Sequence, residues 1–122
     1  MSGLSWREAD EIRYLHVTWA ELPEADMLTT LEDLAARITQ EPPGLAVVTD
    51  ARSMSVTPRF LTRAKTLNRD VFGPRRGTFL VYGLSGLVQV MARGFSNVGG
   101  GVKVVPCRDE DHAVAHLRAH QR

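Results

Sequence analysis

The spacing of hydrophobic residues changes near the middle of the chain, and this change predicts a strand followed by a helix over residues 45–69. The apolar run 45–48 is short, and it is bounded by Gly44 in front and by Asp50 behind. Such a run is typical of a strand that is buried on both faces, as the strands of parallel sheets are. We therefore predict that it is the central strand of a parallel sheet.

Beyond this strand the apolar residues recur at helical spacing from Pro58 onward. One face of the predicted helix carries Phe60, Ala64, Leu67 and Val71, and the opposite face carries Arg59, Arg63, Lys65 and Arg69. Thr57 is an N-cap type of residue, and a proline suits the first turn. Because a strand and a helix form half of a crossover unit, a parallel strand should follow, and the apolar run Thr78–Tyr82 is predicted to be that strand.

The first residues of the chain predict an antiparallel hairpin. Residues 6–8 and 12–19 are extended segments with a short break between them, and apolar side chains alternate with mixed ones in the second segment. The mixed face contains Ile12, Tyr14, His16 and Thr18. Because most helices are expected on the other side of the sheet, we expect this face to be uncovered and to form the interface of a homodimer.

Four further elements complete the predicted fold. One helix begins at Pro23, a third helix follows Gly83, a strand covers residues 102–105, and a last helix begins at about Asp109. The order predicts a single α/β domain over residues 1–122. Its mixed sheet is expected to have about five strands, with an N-terminal antiparallel hairpin, three parallel strands and four helices.

Composition limits the class of protein. A chain of 122 residues with 43% hydrophobic side chains has room for one domain with a substantial core. No apolar run has the roughly 18 residues of a membrane span, and the first residues lack the pattern of a signal peptide. Cys107 is the only cysteine, so no internal disulfide is expected. We predict a cytoplasmic protein without a membrane span, and we predict no cofactor.

Charge is distributed unevenly along the chain. Residues 1–50 contain ten acidic and three basic side chains, whereas residues 51–76 contain seven basic side chains and one acidic one. A basic cluster of this size can attract phosphate or nucleic acid, but this one has no interleaved aromatic residues. We interpret it as a solvated helix face that complements the acidic first half, and no nucleic-acid partner is expected.

Three short stretches carry a resemblance to a known family. They are Asp50-Ala51-Arg52-Ser53 after the central strand, Gly83-Leu84-Ser85-Gly86-Leu87 before the third helix, and residues 109–117 at the end. Together with the order of elements, they resemble the bacterial SpoIIAA-like proteins of the STAS and SEC14-like group. The resemblance implies that fold over nearly the whole chain from Ile12. It also implies one of two roles, since known members include regulators that bind protein partners and the related SEC14 domains bind lipids.

The resemblance also bears on phosphorylation. Sigma-factor antagonists with this fold are phosphorylated on a serine in an Asp-Ser-Ser/Thr-Gly run at the start of the second helix. Here that place holds Ser55-Val56-Thr57-Pro58, without the aspartate or the glycine. Ser55 and Thr57 are the candidate hydroxyls, and both are also explained as capping residues. In the last helix, His116 stands where the family usually has a tryptophan.

A tentative ligand site follows from the predicted topology. Parallel strands present their carboxyl ends at one rim, and two of the loops there lead into helix N-termini, which favour an anion. The candidate residues are Asp50, Arg52, Ser53, Gly83, Ser85 and Gly86. The alternative is that Ser85 only caps its helix and the glycines only shape the turn. A lipid head group or another anionic small molecule is the ligand that such a rim would take.

The sequence contains no catalytic or metal-binding constellation that stands out. His112, His116 and His120 have the spacing at which two imidazoles can share a metal on a helix, but no cysteine or carboxylate ligand accompanies them, and no metal site is predicted. Hydroxyls, histidines and acids are scattered rather than grouped as nucleophile and base. We therefore expect a non-catalytic regulatory or protein-interaction module, with a small-ligand carrier as the alternative.

Overall fold

The structure of the chain is a computed structural model, and it describes residues 3–9, 11–54, 56–75, 77–83 and 103–120, without the side chains of Lys103 and His120. Within these residues it contains five strands, three α-helices and one π-helical segment. The predicted third helix and the triple glycine after it fall on residues 84–102 and lie outside the described residues.

The strands form one mixed sheet, as predicted. They are β1 (Leu4–Ala9), β2 (Ile12–Thr18), β3 (Ala46–Asp50), β4 (Thr78–Tyr82) and β5 (Lys103–Cys107), and this is also their order across the sheet. β1 is antiparallel to β2, and every other neighbouring pair is parallel. The second strand of the hairpin therefore also belongs to the parallel part of the sheet.

The helices are α1 (Glu24–Gln40), α2 (Pro58–Leu67) and α3 (Glu110–His120), and the π-helical segment Asn68–Phe72 continues α2. The predicted cap of α2 is confirmed, because the Thr57 side chain accepts a hydrogen bond from the Phe60 backbone N–H at 3.2 Å. None of the helices in the described ranges is long and apolar enough to cross a membrane.

The larger part of the core lies between the sheet and the pair α1 and α2. One face of β2, β3 and β4 packs there against the apolar stripes of both helices. Its largest wholly buried side chains are Phe72, Leu15, Met27, Leu34 and Ile38. Trp19 lies at the end of this core and contacts the Phe60 ring edge-on, with ring centroids 5.2 Å apart.

The opposite face of the sheet is not open, and the prediction that it is uncovered is wrong. Ala113, Val114 and Leu117 of α3 pack on it, in a second apolar cluster with Ile12 and Tyr14. The face that was expected to form a homodimer interface is therefore an internal surface, because the last helix crosses back over the sheet. The homodimer stays a prediction, but Ile12, Tyr14, His16 and Thr18 do not supply its interface.

Two local predictions also differ from the structure. The central strand continues through Asp50, so that this residue is the last of β3 rather than part of a turn. After α2, the π-helical segment adds a residue to the turn, which buries Asn68 and Phe72 and leaves Val71 only half-buried. Val71 still packs against the larger core, as its helical spacing predicted, but the α-helix itself ends at Leu67.

Candidate functional site

The four parallel strands end in a row of side chains on one face of the sheet. Thr18 of β2 lies beside Asp50 of β3, Asp50 lies beside Tyr82 of β4, and Tyr82 lies beside Cys107 of β5. Because alternate residues of a strand share a face, all four belong to the face that α3 covers. Ligands of parallel α/β proteins bind outside these carboxyl ends. The row is therefore the candidate site.

The Asp50 carboxylate is enclosed by Arg52. The guanidinium donates from Nε to Oδ1 at 3.0 Å and from Nη2 to Oδ2 at 2.9 Å, and the Arg52 backbone N–H donates to Oδ1 at 3.0 Å. Asp50 is only 4% exposed, and burial alone would raise its pKa, but the hydrogen bonds from Arg52 outweigh burial and hold the pKa below its usual value. The negative charge of Asp50 is thus matched within its own turn.

The loop after β4 packs closely against this pair. Gly83 has a φ of +80°, and a Cβ at this position would lie 2.9 Å from the Arg52 backbone nitrogen and closer still to Arg52 Cγ. The Ala51 backbone N–H also donates to the Tyr82 carbonyl at 2.9 Å. The Arg52 guanidinium lies 5.8 Å from the centre of the Tyr82 ring. The two loops therefore close on each other, and Arg52 lies where they meet.

His16 lies beneath the row and is only 2% exposed. A hydrogen bond of 2.9 Å joins its Nε2 to the Tyr82 hydroxyl. Burial lowers the pKa of His16, and the positive charge of Arg7 acts in the same direction. Burial and the carboxylates of Asp50 and Glu110 raise the pKa of Tyr82 to about 12. Both partners of this hydrogen bond are thus neutral near pH 7.

Glu110, the first residue of α3, connects the helix to the hairpin. Its carboxylate accepts hydrogen bonds from the Tyr14 hydroxyl at 2.5 Å and from Arg7 Nη1 at 2.6 Å, and its Oε1 lies 4.0 Å from His16 Nε2. Burial alone would raise the pKa of Glu110, but the hydrogen bonds from Tyr14 and Arg7 lower it overall. Burial and the bond to Glu110 raise the pKa of Tyr14. Polar contacts therefore extend beneath α3 from the edge strand to the sheet centre.

The structure brings together part of the predicted ligand rim. Asp50, Arg52 and Gly83 are in contact, as the topology predicted. Ser53 is exposed, with a φ of +55°, and its carbonyl accepts a bond of 3.4 Å from the Glu21 backbone N–H. Ser85 and Gly86 lie outside the described residues. Ligand binding at this rim stays a prediction, and Arg52 already has an acceptor within the chain.

The candidate phosphorylation and metal residues have local roles. The Thr57 hydroxyl oxygen caps α2, and Ser55 lies outside the described residues. His112 Nδ1 accepts a hydrogen bond from the Arg108 backbone N–H at 3.0 Å, and His116 is half-buried. In the ranges that the structure describes, no three His, Cys, Asp or Glu side chains are grouped so that they could hold a metal.

The basic residues of the second helix face acidic residues of the first. Arg63 donates from Nε and Nη2 to the Glu32 carboxylate at 2.5 and 3.0 Å, and Arg59 lies 3.8 Å from a Glu24 oxygen. The hydrogen bonds from Arg63 lower the pKa of Glu32. These pairs confirm the interpretation that the basic residues of the second helix form a solvated face that complements the acidic first half of the chain.

An apolar cavity of about 130 Å³, not closed on all sides, lies between the sheet and α2. Its lining includes Trp19, Met54, Phe60, Phe79 and Val104, and nearly all of the lining surface is apolar. The described cavity is thus a place where the apolar part of a ligand could be held.

Sequence reasoning missed most of the polar contacts beneath α3. Tyr14, His16 and Tyr82 are polar residues of strands, and alternation alone does not distinguish a face that meets water from one that meets a buried polar partner. Glu110 falls within the predicted last helix, but no contact was predicted for it. The one usable signal was the presence of two tyrosines and a histidine at alternate or terminal strand positions.

Comparison with known proteins places this geometry in a structural class. No protein-family model matches the chain, and no curated protein matches it. Among solved structures, the chain is similar to an uncharacterized protein of the DUF3478 family from Shewanella loihica PV-4 that has a SpoIIAA-like fold. The TM-score is 0.66 at 12% sequence identity, over 93% of this chain and 91% of the other. The chain therefore has a SpoIIAA-like fold, and the resemblance seen in the sequence is confirmed for the fold.

Proposed function

We propose that this SpoIIAA-like domain is a non-catalytic protein-interaction module of the STAS type. The observation that carries the proposal is the pairing of Asp50 with Arg52 at the carboxyl edge of the sheet. A reactive site or an anion site needs donors and acceptors directed at a ligand. Here the Asp50 carboxylate is buried and its charge is matched by the exposed Arg52 guanidinium, which already donates to it twice.

The groups beneath this pair support the same proposal. His16 is engaged with Tyr82, and Glu110 is engaged with Tyr14 and Arg7. In the described part of the chain, no buried side-chain nitrogen or oxygen is without a hydrogen-bond partner. These hydrogen bonds fix α3 on the sheet. Function is then expected at the outer surface of the domain, in contacts with another protein.

A titration followed by NMR tests the proposal at the rim. Inorganic phosphate, ADP and glycerol 3-phosphate are added separately to the full chain, and the amides of Ala51, Arg52 and Gly83 are followed. We expect no saturable shifts at these positions. The Arg69→Ala variant is the control, since it removes an exposed arginine beyond the end of α2 that is opposite to the rim loop, and it corrects for loose charge attraction. Saturable shifts at all three amides that Arg52→Ala abolishes would make the rim a ligand site and overturn the proposal.

The alternative function is that of a carrier for a small ligand, and the apolar cavity beside Phe60 is the observation that favours it. Its lining suits the apolar part of a ligand. Trp19 is one of the lining residues, so the release of a bound molecule should change the fluorescence of this tryptophan. This alternative and the interaction module make opposite predictions about small molecules that are retained during purification.

A further inference from the structure

The two edges of the sheet differ in how well they are protected against pairing with another strand. β5 begins with Lys103 and contains Pro106, which has no N–H to donate. Lysine and proline are residues that block edge strands. β1 contains neither, and in the ranges that the structure describes no strand pairs with its outer edge. β1 is therefore the edge that is suited to strand addition.

The pairing of β1 with β2 determines which backbone groups point outward. The Thr18 backbone N–H donates to the Gly3 carbonyl, and these two residues are directly opposite each other. In an antiparallel pair, hydrogen-bonded and non-hydrogen-bonded positions alternate. Ser5 and Arg7 therefore direct their N–H and C=O groups at β2, whereas Trp6 between them directs its own outward.

We infer that two copies of this chain pair through β1, antiparallel, about a twofold axis at Trp6. A twofold axis perpendicular to the sheet brings the outward groups of Trp6 opposite those of the partner's Trp6, where they form two main-chain hydrogen bonds. The same register places Ser5 opposite the partner's Arg7, on the face that α3 covers. The sheet then continues from one copy into the other.

The side chains of β1 suit a second copy at this register. Trp6 is half-buried, with the Arg13 guanidinium 4.0 Å from its ring centroid, and cross-strand aromatic pairs stabilise sheets. Arg7 is held by Glu110, so that its charge is partly compensated. No like charges are directly opposite each other at Ser5, Trp6 or Arg7. This inference names one partner for the proposed interaction module and so rests on that proposal.

A matched pair of variants at Ser5 tests the inference. Ser5 is exposed, so Ser5→Glu and Ser5→Lys should both leave the fold intact. In the inferred dimer, Ser5→Glu faces the partner's Arg7 and should strengthen dimerisation about five-fold, whereas Ser5→Lys should weaken it about five-fold. Sedimentation equilibrium of the full-length variants at low salt measures both dissociation constants. Equal dissociation constants for the two variants would overturn the inference.

Trp6→Pro provides a second measurement. It removes an outward N–H and the half-buried indole, but it leaves the bonds of Ser5 and Arg7 to β2 in place. The variant should therefore have the circular dichroism spectrum of a folded chain and be monomeric. A wild-type chain that is monomeric at concentrations on the order of 100 micromolar would overturn β1 pairing. So would a folded Trp6→Pro variant that still dimerises. The rim titration is independent of these results. If the chain does not dimerise and the rim binds no ligand, the proposal of an interaction module stands. If the rim binds a ligand, that proposal is overturned even if the chain dimerises.

Discussion

Gly83 lies at the closest approach between the two loops of the candidate site. Its φ is +80°, and a Cβ there would overlap both the side chain and the backbone of Arg52. Gly44 has a similar φ of +90°, but no atom lies within 4 Å of the position that its Cβ would take. Substitutions at the two glycines therefore separate the free-energy cost of backbone strain from the free-energy cost of steric overlap.

We predict that Gly83→Ala lowers the free energy of unfolding by about 2 to 3 kcal/mol, because strain and overlap add. Gly44→Ala should cost about 1 kcal/mol, since only the strain remains. Urea denaturation of both variants measures the difference. Equal costs at the two positions would show that Arg52 does not occupy the place beside Gly83.

His16 gives a prediction about pH. Its imidazole is enclosed by Tyr82 of β4, Glu110 of α3 and Arg7 of β1, with Asp50 and Arg52 beyond them, and burial lowers its pKa in the folded state. In the unfolded chain this pKa is about 6.5. As pH falls below that value, the unfolded chain binds a proton that the folded chain binds only at a lower pH, so stability decreases.

We therefore expect the free energy of unfolding to decrease as pH falls from about 7 toward 5, and to do so less in His16→Gln. Asp50 and Glu110 have lowered pKa values in the folded state, so their contribution is lost only as pH falls below about 4 and does not overlap this window. Urea denaturation at several pH values measures both variants. Parallel pH profiles for the two proteins would contradict a neutral, buried His16.

At the scale of elements, α3 determines the character of the candidate site. It covers the face of β2 that the sequence suggested was open, and it does so through a short apolar stripe and the Glu110 contacts at its start. Leu117 is buried in this interface, whereas Ala115 of the same helix is exposed. The attachment of the helix can therefore be tested without changing the polar residues.

We predict that Leu117→Ala lowers the free energy of unfolding by about 2 to 4 kcal/mol, because it leaves a cavity between α3 and the sheet. Ala115→Ser should cost about 0.5 kcal/mol or less, since it changes only an exposed position of the helix. Thermal and urea denaturation compare the two variants. A loss at Leu117 no greater than that at Ala115 would mean that α3 is not packed as described.

The sequence predicted the elements better than their packing. The bounds of β4 were predicted without error, and the Thr57 cap was found, because an apolar run and a capping residue are local signals. The position of α3 over β2 was not found, since it depends on contacts between residues about one hundred positions apart, such as Tyr14 and Glu110. Asp50 and Arg52 were predicted at one rim, but the bidentate bond between them was not, since it depends on the side-chain conformation of Arg52 rather than on a local sequence signal.

At the scale of the whole molecule, the chain has a SpoIIAA-like fold. The polar side chains at the carboxyl ends of its parallel strands contact one another. The sheet leaves one strand edge, β1, without the lysine and proline that protect β5. Both features support the proposal that the domain functions in contacts between proteins. The central claim is thus that the domain works as an interaction module and does not carry a small molecule.

Native mass spectrometry of freshly purified full-length protein tests this claim most directly. Gentle ionisation preserves non-covalent complexes, so a carried ligand would be observed as added mass on the 13.5 kDa chain. The account predicts that the chain and any assembly of it carry no stoichiometric small molecule. A lipid, nucleotide or other compound that is retained at one copy per chain, and is released on denaturation, would contradict the account and establish a carrier instead.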